Sequence, residues 1–179
     1  MASKLYLAYG ANTAHNDMAY RCPGAEWVGN CELFDFALVF RGVADVVPRK
    51  GATMECAVWR INDDNEAALD RFEGVAHGLY WKDYVELEWG DTTERALIYR
   101  MARHRRDRCP PPPSYRATLE RGYKECGMPL QQIVDAVKES HRDDRPRIEY
   151  RGKWAKPTPS ENPYDDLFRQ WRGRQQGEY

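Results

Sequence analysis

The sequence predicts an α+β domain in which strands dominate and helices are few. Short apolar or alternating runs recur between residues 4 and 61 and again between 80 and 101. The period turns helical at 62–73 and after a proline run at 110–113. Past residue 140 the composition becomes charged and proline-rich. These observations divide the chain into a domain at 1–140, with strands able to close into a barrel, and an extension at 141–179 whose role is open.

Lys4–Tyr9 is short, apolar and aromatic and stops at Gly10, as a strand entering a tight turn does. Asn12–Tyr20 has scattered apolar positions and is expected to form a short helix before the Cys22-Pro23-Gly24 break. Ala25–Phe40 supplies strand material twice, first around Val28 and then through Leu33, Phe34, Phe36, Leu38 and Phe40. Ala44–Pro48 and Met54–Ile61 read as two further strands with a turn at Gly51. Asn62–Glu73 is helical, with Asn62 or Asp63 as cap, Glu66 completing a capping box with Asp63, and Gly74 as a left-handed stop. Tyr80–Trp89 and Arg95–Met101 are paired strands, and Tyr115–Cys126 and Leu130–Ser140 are helices hinged at Gly127-Met128-Pro129. In the extension, Lys156–Pro163 is a linker and Tyr164–Trp171 a short helix, expected to dock on the domain or on a second copy of the chain in a homodimer.

At 179 residues, 42% hydrophobic and 31% charged, the chain can bury one sizeable core. A formal net charge of -1 excludes a global field favouring nucleic acid or an anionic membrane. Met1-Ala2-Ser3-Lys4 leads straight into a strand, so no secretory leader is expected. The five cysteines are widely spaced with no Cys-x-x-Cys pair, which suits free thiols in a reducing cytoplasm.

Three groups of residues are candidates for chemistry. Glu73 falls at a helix C-terminus, where unpaired carbonyls disfavour a carboxylate, and burial there would raise its pKa towards neutrality. The same residue also reads as a solvated helix end. Tyr9-Gly10-Ala11-Asn12 ends a strand in a turn whose N–H groups are able to converge on an anion, or simply to connect strand and helix. Tyr80, Tyr99 and Tyr115 are pocket-wall or core tyrosines, Tyr115 being held by the prolines before it. A metal at Glu73 and His77 is not expected, because Gly74 and Gly78 interrupt any shared helix. No Gly-x-Ser-x-Gly elbow or phosphate loop is present. Arg103–Arg108 is a solvated basic loop or an anion-binding lid.

Taken together, these segments resemble the gamma-glutamylcyclotransferase-like family. Tyr6-Leu7-Ala8-Tyr9-Gly10-Ala11-Asn12 looks like its opening strand ending in Tyr-Gly-Ser-Asn, and Leu69-Asp70-Arg71-Phe72-Glu73-Gly74-Val75 like its Leu-Asp-x-x-Glu-Gly segment. His77-Gly78-Leu79-Tyr80, Leu97-Ile98-Tyr99, the prolines before Tyr115 and Gly127-Met128-Pro129-Leu130 follow in the family's order. The resemblance implies a small mixed β-barrel flanked by helices, acting on a small-molecule gamma-glutamyl amide or peptide without metal or organic cofactor; the near-zero net charge and the lack of a long apolar run add that neither nucleic acid nor membrane is expected as a partner. The substrate's α-amine would attack its own γ-carbonyl and release 5-oxoproline, with Glu73 as general acid/base. The opening motif, Tyr80, Tyr99 and Tyr115 would face the substrate. Ala11 departs from the family serine and Thr13 from its leucine; Ala11, together with the basic loop Arg103–Arg108, motivates the alternative of a non-catalytic binder using the same cavity.

Overall fold

The computed structural model describes residues 3–102 and 107–141. Among the described residues five strands and four helices follow in the order β1 (Lys4–Ala8), α1 (His15–Arg21), β2 (Glu26–Phe40), β3 (Ala44–Ile61), α2 (Asp63–Phe72), β4 (Tyr80–Trp89), β5 (Thr92–Met101), α3 (Pro113–Glu125) and α4 (Leu130–Ser140). The strands form one mixed sheet in the order β2-β3-β1-β5-β4. β1 runs antiparallel to β3 and parallel to β5. The pairing order is open, with β2 and β4 at its edges, so the sheet is not the closed barrel of the sequence reading.

β1 is central and short, and its apolar continuity follows from that position. Leu5 and Leu7 are wholly buried and Tyr6 and Ala8 nearly so, as expected of a strand covered on both faces. The helical side of the core is built from Leu119 and Tyr123 of α3 and Ile133 and Ala136 of α4. α4 lies against β2, while α3 lies against a 3-10 turn at Ala11–Thr13. The chain end of β1 is thereby clamped between sheet and helix.

Local chemistry explains where the elements depart from the sequence reading. The helix expected from Asn12 to Tyr20 is split into the 3-10 turn and α1, because the backbone is extended at Ala14. The two strands expected on either side of Gly51 are one strand, β3. Residues 49–52 are accommodated as an irregularity, since the β2 partners jump from Phe34↔Thr53 to Phe36↔Pro48. Asp35, at a φ of 60°, accepts a 2.6 Å hydrogen bond from the Gly51 N–H and holds the bend. At α2 the cap is Asn62 with Asn65, each side chain bonded to the other's backbone N–H at 2.9 and 3.2 Å. Glu66 is thus released from the expected box and binds Lys4 and Lys82 instead.

Among the described residues no helix is long and apolar enough to cross a membrane. The expected helix at Tyr164–Trp171, nearly all of the extension and residues 103–106 of the basic loop lie outside the described residues.

Candidate active site

Glu73 stands where α2 stops. Its N–H still donates to the Leu69 carbonyl at 2.8 Å, but Gly74 turns left-handed at a φ of 66°. A Cβ on Gly74 would sit 2.7 Å from Leu79 Cδ1, so both backbone angle and space require glycine here. This stop delivers the Glu73 carboxyl to the end of β1.

There it meets Asn12, which is 4% exposed. The Asn12 side-chain amide donates to Glu73 Oε1 at 3.0 Å and to the Tyr6 hydroxyl at 2.7 Å. Its carbonyl oxygen accepts from Arg21. Arg21 lies 3.7 Å above the Phe72 ring and 3.8 Å from Asp17, which also pairs with Arg121 at 2.8 Å. Both N–H donors and the carbonyl oxygen of the Asn12 amide are therefore engaged, which fixes its rotamer and aims one donor at the carboxylate.

Burial pushes the Glu73 carboxyl up to about 7; the Arg21 charge and the Asn12 hydrogen bond oppose it without prevailing. Desolvation wins because Glu73 is only partly open to solvent, with one charged neighbour set against the loss of water. Burial also raises the Tyr6 phenol well above its ordinary value, with a further contribution from Glu73. Tyr6 accordingly acts as a neutral hydroxyl. Burial lowers the Arg21 guanidinium somewhat, yet an arginine so placed stays cationic.

The turn is held from several sides. Thr13 donates its hydroxyl to the Gly10 carbonyl at 2.8 Å, and Tyr123 donates to the Tyr9 carbonyl at 3.0 Å. The Tyr115 hydroxyl accepts from the N–H of Ala44 at 3.1 Å and from that of Ala11. Gly10 passes so close that a Cβ there would lie 3.1 Å from the same hydroxyl. In this arrangement the Ala11 amide, expected to face an anion, is directed at Tyr115. Tyr80 donates to the Ala44 carbonyl at 2.8 Å, so Tyr80 and Tyr115 grip the two sides of one residue.

Of the residues singled out in the sequence, Tyr6, Asn12 and Glu73 share one hydrogen-bonded chain, with Gly10, Ala11 and Tyr115 at the adjoining turn. Leu7 and Ala8 are core residues paired to β3, and the Tyr9 hydroxyl donates to the Tyr99 carbonyl at 2.6 Å. The Tyr99 hydroxyl points elsewhere, donating to Asp70 at 2.6 Å. Tyr99→Phe is therefore expected to lower stability by about 1–2 kcal/mol while leaving any substrate KM within about twofold of wild type. Chemical denaturation beside steady-state kinetics checks both. Two residues escaped the sequence reading, Arg21 and Asp17. The signal available was their i, i+4 spacing beside the helix break, which surface helices share. Among the described residues no cluster of three His, Cys, Asp or Glu is arranged to hold a metal.

A half-buried acid lodged against an asparagine turn at the end of β1 makes Glu73 the candidate proton-transfer group of the described residues. The model of the AIG2-like family matches residues 53–135. The chain is 31% identical over 142 residues to human gamma-glutamylcyclotransferase, covering 72% of this chain and 74% of that one. The bovine relative is 30% identical over the same length and coverage, and the mouse relative 29% over 164 residues. A solved gamma-glutamyl cyclotransferase structure superposes with a TM-score of 0.67 at 25% identity, over 94% of this chain and 99% of the other. The chain belongs to the gamma-glutamylcyclotransferase family.

Proposed function

We propose that the protein is a gamma-glutamylcyclotransferase that closes the γ-glutamyl group of a small amide or peptide into 5-oxoproline. The nucleophile and the electrophile share one molecule, so a site that holds the α-amine against the γ-carbonyl supplies much of the acceleration by proximity. The remaining task is proton transfer. Glu73 takes a proton from the α-ammonium group, the neutral amine adds to the carbonyl, and the protonated carboxyl returns a proton to the departing nitrogen. Asn12 and Tyr6 hold the carboxylate in register, and Tyr115, whose oxygen already takes the Ala11 and Ala44 N–H groups, sets its hydroxyl at the turn beside which the oxyanion would gather. The observation that carries this reading is a carboxyl poised near neutrality and bonded to Asn12 of the opening turn. Its cysteines are free in the described structure, and the reducing cytoplasm is the proposed compartment.

Purified protein incubated with a panel of γ-glutamyl amides, amino acids and peptides is expected to release 5-oxoproline from at least one. A ligand bound and recovered unchanged across the panel would favour the binder built on Ala11.

The pH profile follows from the same geometry. Because the base must be ionised, kcat/KM should rise with pH through an apparent pKa near 7. Arg21 favours the ionised carboxylate, so Arg21→Met should move this limb to higher pH, and Arg21→Lys should restore part of the shift. An unmoved limb in Arg21→Met would remove Arg21 from the electrostatics of the site.

A further inference from the structure

We propose that Cys31 and Cys56 form a covalent modification site, a dithiol that closes to an intramolecular disulfide when the folded chain meets a small-molecule disulfide oxidant. The two residues lie directly opposite one another in the antiparallel ladder of β2 and β3. The register is regular on both sides, with Asn30↔Ala57 and Glu32↔Glu55 as flanking pairs. Opposed residues of an antiparallel pair have Cα atoms about 4.5–5.5 Å apart and side chains on the same face, inside the range a disulfide spans.

The two thiols differ in a way that orders the chemistry. Cys56 is wholly buried, whereas Cys31 is partly exposed. The neighbouring Cys56 holds Cys31 below the ordinary thiol range, while Cys31 and burial together raise Cys56 well above it. Cys31 is the accessible attacking sulfur and Cys56 the neighbour that resolves. The other cysteines lack this pairing. Burial pushes Cys22 and Cys126 up to about 11, and Cys109 sits opposite Arg41 in an isolated bridge.

In the first step the Cys31 thiolate attacks one sulfur of the oxidant R–S–S–R, giving a Cys31 mixed disulfide and one RS⁻. Cys56 then loses its proton and attacks the Cys31 sulfur, expelling the second RS⁻. Two thiols and one oxidant disulfide become one protein disulfide and two RSH, with the oxidant reduced by two electrons. The product staples the edge strand β2 to β3. It lies beside Asn30, which donates to the Cys126 carbonyl at 2.7 Å, and Glu55, whose backbone is held on both sides by Gln132 at 2.8 and 3.0 Å.

The test exposes the full native chain to hydroxyethyl disulfide, quenches with acid at intervals and maps cysteines by mass spectrometry. A Cys31–Cys56 linked peptide is expected as the first disulfide formed, with Cys31 consumed at least about tenfold faster than Cys109. Cys56→Ala should accumulate the mercaptoethanol adduct on Cys31, Cys31→Ser should form no cross-link at Cys56, and oxidised wild type should melt at a higher temperature than reduced. An initial cross-link through any other cysteine overturns the proposal, as does an unreacted Cys31 once Cys109 is modified. Should Cys56→Ala not fold, the wild-type map decides alone.

Discussion

Glu73→Gln is expected to lower 5-oxoproline release by about a thousandfold, the usual scale for a positioned proton-transfer group, while the fold survives. Glutamine preserves the shape of the side chain and can still accept the Asn12 hydrogen bond through its carbonyl oxygen. It cannot take a proton from the α-ammonium group. Stability separates this from a folding defect. Burial raises the folded-state pKa of Glu73 from 4.5 to about 7, so the folded protein holds this proton more tightly than the unfolded chain does. The associated stability is present below about 4.5 and is lost as pH rises through about 7. The variant lacks that loss. Its melting temperature relative to wild type should therefore increase between acidic and mildly alkaline pH. A variant that turns over as fast as wild type would end the catalytic assignment, and a flat difference in melting temperature would end the electrostatic one.

Gly122→Ala is expected to destabilise the protein by about 2–3 kcal/mol, at the upper end of what one added methyl costs in a packed core. A Cβ at this position would lie 2.3 Å from Thr13 Oγ1, 2.5 Å from the Ala14 nitrogen and 2.7 Å from the Thr13 carbonyl carbon. Two of those atoms are backbone, so no rotamer change relieves the clash. Either α3 retreats or the turn at residues 11–13 moves, and the turn carries Asn12 away from Glu73. In a helix interior free of such contact, the same substitution would stabilise by about 1 kcal/mol. The sign of the change in denaturation midpoint thus tests the close approach directly. Turnover should fall with stability, and the acid limb of the pH profile should shift once Asn12 no longer holds the carboxylate.

Much of this site was legible because its parts are local. Glu73 before Gly74 reads as a helix end from the chain alone, since the left-handed stop is a property of one residue. The strand into Gly10 and the helices after the proline run are similarly local, and α4 and β4 fall at their expected residues. Tyr99 shows the limit. An alternating strand tells which face a tyrosine takes, but the distant Asp70 decided where its hydroxyl went. Arg21 is another case, since nothing in its neighbourhood announces that it will meet Asn12 and Phe72 under cover. Asn62 caps α2 as one of the two residues the sequence offered, but its partner is Asn65 rather than Glu66, which binds two lysines from β1 and β4, a competition no local window contains.

The order of amino acids alone determined the succession of strands and helices, the glycine stops and the acid presented by the Leu69–Val75 segment, because these depend on backbone angles and on residues within a turn of one another. Tertiary structure decided that the sheet stays open, that the Asn12 side chain holds the Glu73 carboxylate, and that burial carries that acid to the edge of neutrality. Desolvation and hydrogen-bond geometry belong to groups brought together from β1, α1 and α2, and such energies exist only once those elements have packed.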